Sequence, residues 1–315
     1  MNIDNLKNFD AWALEWLNIY KTGMVKDNSF WGTYHNPVAN HLIPYFGNTE
    51  LSEIRPMDVQ IYFKTLTDKY SMETQRKIRA ALKSIFDTAI ENDLCAKNPI
   101  TKNLRLKSTI PDPIKRAYTE EEYRIVWDYA LKHPLGLSIL LLLELGISRS
   151  ELLGIRYPNI NLDKRMMSLT DGTVSQKNVE TGKWEVITLG LKTPYRRRII
   201  PFSETIAEVI ERTPRSPSGY LISSPRGKVY RPELWYRRCY KKFMSDLLTA
   251  HPEIPNLTPH ELRHTRASIW FDKGMDLLDI AYLGGWVDLK MLRKRYVHID
   301  LDHLQKRMKS IEISV

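Results

Sequence analysis

The chain has 315 residues, of which 43% are hydrophobic and 27% charged, and this composition is typical of a soluble globular protein with two domains. Its formal net charge of +10 favours a polyanionic partner, either nucleic acid or an anionic membrane surface. The two cysteines, Cys95 and Cys239, exclude both a disulfide framework and a cysteine zinc site. This cysteine usage, with no apolar signal segment after Met1, predicts a cytoplasmic protein.

The first 106 residues are predicted to form a helical domain. Apolar and aromatic residues recur at helical spacing, and prolines and Gly47-Asn48 mark the breaks between helices. The second helix is predicted to end at Pro44, and Ser71 is a candidate N-cap of the fourth. The predicted helices cover residues 9–20, 30–44, 55–66 and 71–92.

The fourth predicted helix carries a basic face opposite its apolar one. The basic residues are Arg76, Lys77, Arg79 and Lys83. Such a face is compatible either with simple solvation or with contacts to nucleic-acid phosphates.

A polar, proline-rich and basic segment, residues 107–118, has neither helical nor strand periodicity and is predicted to be a linker. Residues 119–315 form the second predicted domain. Thr119 precedes three glutamates and is therefore expected to cap a helix, and the apolar run 135–147 is expected to be a buried helix.

Residues 164–202 are predicted to form strands, with turns at Asp171-Gly172 and Thr181-Gly-Lys183. They end in the basic segment Lys192-Thr-Pro-Tyr-Arg-Arg-Arg-Ile-Ile-Pro201. Residues 230–247 then form a helix in which aromatic and basic residues alternate. This helix is either a core helix with snorkelling basic side chains or a helix that lies on DNA. Its candidate DNA-binding residues are Arg231, Arg237, Arg238, Lys241 and Lys242.

Near the C-terminus, Thr258-Pro-His-Glu-Leu-Arg-His264 opens a further predicted helix. His260 and Arg263 lie three residues apart and share a helix face that suits an anionic group such as a phosphate. The same residues also match H-E-x-x-H, in which His260 and His264 would bind zinc and Glu261 would act as base. Against that alternative, Arg263 would put a cation beside the metal.

Three motifs together resemble the C-terminal half of the tyrosine recombinase (phage integrase) family: H-x-L-R-H-T, L-G-G-W and R-Y-V-H. The type of member that the chain resembles is the integrase of a phage or conjugative transposon. Tyr296 follows Trp286 by ten residues, as the family pattern requires. The N-terminal motifs L-I-P-Y-F-G-x-x-x-L, I-R-P-x-D-V-Q and N-D-L-C-A-K-N-P-I resemble the core-binding domain that precedes the catalytic domain in this family.

The resemblance implies a mainly α fold with a small antiparallel β-sheet, of the α+β class. A helical N-terminal core-binding domain and a mixed α/β catalytic domain would form a C-shaped DNA clamp. The implied activity is site-specific cutting and rejoining of DNA through a 3′-phosphotyrosine intermediate. In that reaction Tyr296 is the nucleophile, Lys192 protonates the leaving oxygen, and Arg263, His260 and Trp286 serve the phosphate. The resemblance also implies packing and phosphate contacts for Arg196, Arg197 and Arg198.

One position departs from the family pattern. The motif usually reads G-x-R-x-x-E-L, and counting back three residues from Glu151 gives Ser148, so the first family arginine is missing. Arg149 is adjacent, but on a helix it would point about 100° away. Either another cation replaces the missing one, with Arg149, Arg156 and the run 196–198 as candidates, or the protein is a catalytically weak DNA-binding relative.

The implied partner is double-stranded DNA at specific recombination sites, bound by a homotetramer whose subunits are monomeric when free. Accessory DNA-bending or directionality proteins are compatible with this assignment, and no membrane is involved. The sequence contains no phosphate-loop pattern and no paired acidic residues of a two-metal nuclease, so neither ATP nor a metal cofactor is predicted. We expect a bacterial or phage-encoded protein associated with the nucleoid. The tail from Asp300 has apolar residues at helical spacing and is predicted to dock on its own or a neighbouring subunit.

Overall fold

The computed structural model describes residues 6–111, 116–191 and 194–289. The chain divides into two compact units. The first comprises residues 1–114 together with 176–185, and the second comprises residues 115–175 together with 186–315. Helices dominate both units, and the strands form small sheets, so the predicted α+β class is confirmed.

The first unit is built from four helical segments around an aromatic core. Trp12 and Trp16 of the first helix are buried, and the indole Nε1 of Trp12 donates to the Ile85 carbonyl at 3.0 Å. Phe63 and Phe86 complete the centre of this core. The segments are α1 (Phe9–Tyr20), the composite α2 described below, α3 (Pro56–Thr65) and α4 (Met72–Glu91).

Helix α2 is longer than predicted, and its predicted end at Pro44 is wrong. Pro44 lies in the first turn of the last segment, and the Gly47 N–H donates to the Ile43 carbonyl at 2.9 Å, so the final turn does not need an N–H from Pro44. The run passes twice through wider π-helical turns. Its successive segments are Asp27–Ser29, Phe30–His35, Val38–Leu42 and Ile43–Phe46.

The tip of a strand pair, residues 176–185, belongs to the first unit, which the sequence did not predict. The Trp31 indole Nε1 donates to the Lys177 carbonyl at 2.6 Å, and the Lys177 ammonium lies 3.9 Å from the centre of the Trp31 ring. This combined hydrogen bond and cation–π contact holds the tip in the unit.

The second unit surrounds a helix that is buried on all sides. This is α6, whose leucines have almost no exposed surface and which corresponds to the predicted apolar run. The helices of this unit are α5 (Glu120–Lys132), α6 (Gly136–Leu145), α7 (Arg149–Gly154), α8 (Glu204–Arg212), the composite α9 (Pro232–Trp235, Tyr236–Tyr240, Lys241–Ala250), α10 (Pro259–Asp272) and α11 (Leu277–Gly284).

Five strands form two sheets in the second unit and its extension. Three strands pair in the order β1-β2-β5, antiparallel, with Met167 opposite Ile200. The other two, β3 and β4, pair with each other. Asp171-Gly172 was predicted as a turn, but β3 begins there, because the chain passes directly from one sheet to the other. The strands are β1 (Ile160–Asn161), β2 (Met166–Leu169), β3 (Asp171–Lys177), β4 (Trp184–Gly190) and β5 (Arg198–Pro201).

Side-chain caps fix where several of these helices begin. Ser71, Thr119 and Thr258 each accept a hydrogen bond from the backbone N–H three residues later, and this confirms the three predicted N-termini. Within the described residues, no helix has both the length and the apolar character needed to cross a bilayer.

Candidate active site and nucleic-acid interface

A buried carboxylate surrounded by three arginines forms the centre of the candidate site. Glu151 lies in the first turn of α7 and has no exposed surface. Its Oε1 accepts from Arg198 Nη1 at 2.9 Å and lies 3.5 Å from Arg196 Nε, while its Oε2 accepts from Arg263 Nη1 at 3.2 Å. Three guanidinium groups, two from the segment 196–198 and one from α10, thus share one carboxylate.

The charge state of Glu151 follows from this environment. Burial alone would raise the pKa of its carboxyl group, because a low-dielectric interior disfavours the charged form. The charges of Arg198 and Arg263, with hydrogen bonds from Arg198 and the Ser148 N–H, outweigh burial and hold the pKa of Glu151 below its usual range. Glu151 is therefore ionised at neutral pH.

The C-terminal end of α11 anchors two of these arginines through its last backbone carbonyls, which have no partner within the helix. Arg198 Nε donates to the Leu283 carbonyl at 2.8 Å, and Arg263 Nη2 donates to the Gly284 carbonyl. Gly285 has a φ of +65°, and a Cβ atom at this position would lie 2.7 Å from Arg198 Nη1. The two consecutive glycines of the L-G-G-W motif thus allow the backbone to approach the arginines closely.

Three predicted catalytic residues lie close together beside this cluster. The Trp286 ring centre is 4.3 Å from the Arg263 guanidinium carbon. The ring of His264 is stacked parallel to Trp286, with 6.4 Å between ring centres, and His264 Nε2 lies 2.9 Å from His260 Nε2. Arg263 and His264 are buried, whereas His260 is exposed at the start of α10. An exposed imidazole and a half-buried indole thus lie next to a buried guanidinium, and these are groups of the kind that bind a phosphate.

Ser148 differs from the sequence expectation because it is not inside a helix. It is the N-cap of α7: its Oγ accepts from the Glu151 N–H and lies 2.8 Å from Glu151 Oε2. Arg149 is the first residue of the helix and is exposed. Arg156 donates to the Tyr220 hydroxyl at 2.8 Å and stacks on that ring. Among the described residues, the guanidinium groups of Arg149 and Arg156 form no hydrogen bond with Ser148, whose hydroxyl bonds to Ser150, Glu151 and Arg196.

The basic run 196–198 divides into three environments. Arg198 has a fully buried side chain and is engaged with Glu151 and backbone carbonyls, so it packs inside the unit and offers no surface for DNA. Arg197 is exposed. The side chain of Arg196 is 30% exposed, and its Nη2 donates to Ser148 Oγ at 3.4 Å.

Two predicted catalytic residues, Lys192 and Tyr296, lie outside the described residues, as does the predicted C-terminal tail. Their roles stay predictions.

The zinc alternative finds no support in the geometry around His260. Glu261 completes a helix cap, because its carboxylate accepts from the Thr258 N–H at 2.7 Å. Across the three described ranges, no group of three or more His, Cys, Asp or Glu side chains is placed to hold a metal ion.

The predicted DNA-binding face of α4 is basic but partly paired. Arg76, Lys77 and Lys83 are exposed, and Arg79 is half-buried. Lys77 and Lys83 form ion pairs with acidic residues one helical turn away, at 2.8 and 2.6 Å. Exposed pairs of this kind are worth only about 0.3–0.5 kcal/mol, so a phosphate can displace the carboxylate.

Helix α9 combines the two interpretations given for it. One side carries Trp235, Tyr240 and Phe243 into the core of the second unit. The other side exposes the five predicted DNA-binding residues, of which Lys242 is paired with Asp246. The exposed residues are Arg231, Arg237, Arg238, Lys241 and Lys242.

Sequence reasoning did not assign roles to three groups of this site. Glu151 was considered only as part of a motif, His264 only as a possible zinc ligand, and Gly285 only as a letter of L-G-G-W. The spacing of Glu151 within G-x-x-x-x-E-L was the available signal for the first. The contacts of the other two depend on tertiary structure, which spacing does not reveal.

Family models match most of the chain. Residues 111–303 match the phage integrase family, and residues 9–105 match the phage integrase central domain. The chain belongs to the phage integrase family. It is therefore a tyrosine recombinase, an enzyme that cuts and rejoins DNA strands.

Similar proteins include other recombinases of this family. A XerC-like tyrosine recombinase of Caldanaerobacter subterraneus subsp. tengcongensis is 24% identical over 288 residues, which cover 82% of this chain and 72% of the relative. The transposase from transposon Tn916 of Enterococcus faecalis is 24% identical over 285 residues, which cover 84% and 68%.

Solved structures share the fold. The Tn1549 transposon integrase in complex with a circular intermediate DNA superimposes with a TM-score of 0.77 at 19% identity, covering 97% of this chain and 100% of that one. A lambda integrase dimer bound to a COC′ core site gives 0.66 at 16% identity, covering 95% and 82%. The fold of this recombinase is thus the one used by integrases bound to DNA in those structures.

Proposed function

We propose that this recombinase is the integrase of a mobile element of the phage or conjugative transposon type and that Tyr296 is its nucleophile. One observation above all supports the site assignment: Trp286, which follows α11, lies on Arg263 of α10, and His264 connects this pair to His260 at the start of α10. Tyr296 follows Trp286 by ten residues in the R-Y-V-H motif.

In the proposed step, the phenolic oxygen of Tyr296 forms a bond to the scissile phosphorus as the bond from phosphorus to the 5′-oxygen breaks. His260 assists removal of the phenol proton, which is needed because a phenol with a pKa near 10 is a weak nucleophile. The ammonium of Lys192 gives a proton to the leaving 5′-oxygen. The products are a 3′-phosphotyrosine and a free 5′-hydroxyl, and the reverse reaction joins a new 5′-hydroxyl without ATP.

Arg263 and Trp286 would stabilise the phosphate during this exchange. Negative charge grows on the non-bridging oxygens as phosphorus becomes five-coordinate, and donors held in place before the reaction stabilise that charge. The buried pairing of Arg263 with Glu151 and the Gly284 carbonyl holds its guanidinium in one orientation. Trp286 adds its indole N–H as a donor.

The proposed substrate is double-stranded DNA at a specific site in the cytoplasm. The exposed basic residues of α4 and α9 are the proposed phosphate and groove contacts. Exchange between two duplexes needs four active sites, so we propose a homotetramer on DNA, formed from monomers and assisted by DNA-bending or directionality proteins. A lambda integrase tetramer has been solved on a Holliday junction, and its fold matches this chain with a TM-score of 0.64.

The decisive experiment traps the covalent intermediate. A suicide DNA substrate, nicked so that the short 5′-hydroxyl strand diffuses away, should leave the wild-type protein attached to DNA through a bond that survives denaturant. Tyr296→Phe lacks the phenolic oxygen and should form no adduct while retaining DNA binding in a mobility-shift assay.

An adduct of undiminished yield in the Tyr296→Phe variant would show that another residue is the nucleophile. Absence of any adduct in the wild-type protein, on substrates carrying the cognate site, would count against the proposed reaction as a whole.

A further inference from the structure

The first arginine of the family motif is missing from this chain, so position 148 supplies no cation to the site. Ser148 stands at that position, and its hydroxyl is engaged with Glu151 and with Ser150 Oγ at 3.2 Å. A neutral hydroxyl can donate one hydrogen bond but brings no positive charge to a phosphate. The short side chain also leaves room that a longer one would fill.

We propose that Arg196 fills this room and serves as the phosphate-binding cation that position 148 no longer supplies. Its Nη2 lies 3.4 Å from Ser148 Oγ, and its Nε lies 3.5 Å from Glu151 Oε1. Of the arginines considered as substitutes, it is the one whose guanidinium reaches Ser148, because Arg149 is exposed and Arg156 is held on Tyr220. This inference rests on the proposed function.

Arg196 also has the exposure and the donors that the role requires. Its side chain is 30% exposed, compared with 0% for Arg198, so its guanidinium reaches the surface where DNA would bind. Its Nε is buried and lies 3.5 Å from Glu151 Oε1, so it does not face the DNA. The two Nη atoms carry four N–H donors, and Ser148 takes one of them. Donors therefore remain for a phosphate.

The backbone of Arg196 is fixed relative to the rest of the site. Arg196 ends the short turn Pro194–Arg196, and its carbonyl accepts from the buried Arg198 Nη1 at 2.8 Å. A Cβ atom on Gly285 would lie 3.5 Å from the Arg196 Cα, so the residue that follows the Gly284 carbonyl, the acceptor for Arg263, packs against Arg196. The cation is thus positioned before DNA binds, which is what transition-state stabilisation requires.

The test measures covalent adduct formation on the suicide substrate at saturating DNA. Arg196→Ala should slow this step by about 10²–10³-fold, as loss of a preorganised donor to a developing oxyanion does. Arg197→Ala removes the same charge from the exposed neighbour and should weaken DNA binding more than it slows cleavage. Equal slowing in the two variants, or a normal rate in Arg196→Ala, would overturn the proposal.

Two further variants, Ser148→Arg alone and Ser148→Arg combined with Arg196→Ala, distinguish loss of the charge from a folding defect. Ser148→Arg alone should slow cleavage or leave it unchanged, since a second guanidinium would meet the first at like charge. The double variant Ser148→Arg/Arg196→Ala should cleave at least tenfold faster than Arg196→Ala alone. If Ser148→Arg alone accelerates cleavage by orders of magnitude, no substitute cation occupies the space and the proposal fails.

A substrate with a neutral phosphate probes the charge directly. A methylphosphonate at the scissile position carries no negative charge on its non-bridging oxygen, so the ratio of wild-type to Arg196→Ala rates should fall towards one. An unchanged ratio would assign Arg196 a purely structural role. All three tests presuppose a wild-type adduct that Tyr296→Phe abolishes. Failure of the proposed function therefore shows in that control, whereas failure of the inference shows in the Arg196 and Ser148 variants while the wild-type adduct still forms.

Discussion

At the scale of single residues, the site depends on one carboxylate whose charge cannot be removed without a large loss of stability. Glu151 is the buried partner of Arg198 and Arg263. Removing one member of a buried ion pair leaves an uncompensated charge in a low-dielectric interior, which typically costs about 3–5 kcal/mol. The buried glutamate of the motif is therefore needed to keep Arg263, the proposed catalytic arginine, in place.

We predict that Glu151→Gln lowers the free energy of unfolding at neutral pH by about 3–5 kcal/mol. The amide has the size of the carboxyl group but no charge, so both arginines lose their partner. Urea unfolding of the full chain, followed by the fluorescence of its buried tryptophans, would measure the change. Glu208→Gln removes a carboxylate from an exposed helical pair and should cost less than about 0.5 kcal/mol.

The stabilities of wild type and Glu151→Gln should also respond differently to acid. Because the pKa of Glu151 is lower in the folded than in the unfolded state, its contribution to stability is fully present above the unfolded value near 4.5. That contribution is lost as the pH falls through the lower, folded pKa, where the wild-type side chain becomes neutral like glutamine. The stability difference between wild type and Glu151→Gln should therefore shrink below about pH 4. A difference that stays constant from neutral pH down to about pH 3 would contradict this.

At the scale of elements, the ends of α10 and α11 and the turn after α11 position the proposed catalytic side chains. The last two residues of α11 supply carbonyls to two arginines, and the turn at Gly285 brings Trp286 onto Arg263. Only a glycine fits at position 285, for reasons of both backbone conformation and space.

We predict that Gly285→Ala is more harmful than an alanine at another glycine with positive φ. Its new Cβ would press on a guanidinium that is already held by Glu151 and backbone carbonyls, so Arg198 must move. Gly274 has a φ of +85°, and the position that a Cβ atom would take there has no neighbour within 4 Å. Gly274→Ala should therefore show the backbone cost alone, about 1 kcal/mol. Thermal unfolding and adduct formation of both variants would separate the effects, and equal losses would show that crowding of Arg198 is unimportant.

The sequence predicted elements well where local chemistry decides them. Capping residues such as Ser71 and Thr258 indicated helix starts, because a hydroxyl bonds to a backbone N–H three residues on. Prediction failed where the cause is not local. Pro44 was tolerated within a first turn, and Arg196 reaches Ser148 across 48 positions of sequence. No periodicity or spacing rule encodes such a contact, so the substitute for the missing arginine could be named only as one of several candidates.

At the scale of the whole molecule, the net charge of +10 and the exposed basic faces predict an electrostatic mode of DNA binding. Each phosphate that the protein neutralises releases counterions, so the logarithm of the binding constant should fall by about 0.9 per contacted phosphate for each tenfold rise in salt. Both units carry such a face, on α4 in the first and on α9 in the second.

We predict that Arg76→Ala and Arg238→Ala each reduce this salt slope by about one unit, since each removes one phosphate contact. Fluorescence anisotropy with a labelled site, titrated from about 50 to about 300 mM salt, would measure the slope. Arg212→Ala, which removes an arginine already paired with Glu208 on α8, should leave the slope unchanged. If none of the three substitutions alters the slope, residues other than Arg76 and Arg238 contact the DNA.

The sharing of Glu151 by Arg196, Arg198 and Arg263 has a consequence for how this sequence can change over time. Each member of the cluster meets partners from distant parts of the chain, so the effect of any one substitution depends on which residues the others carry. Single steps should mostly be rejected, whereas paired steps that conserve the number and position of charges should survive. In a library randomised at 148, 151, 196, 198 and 263, active members should therefore show strong covariation between positions 148 and 196. Considered alone, Ser148 suggests a weakened enzyme, whereas under the proposed role of Arg196 the two positions together conserve the charge of the site.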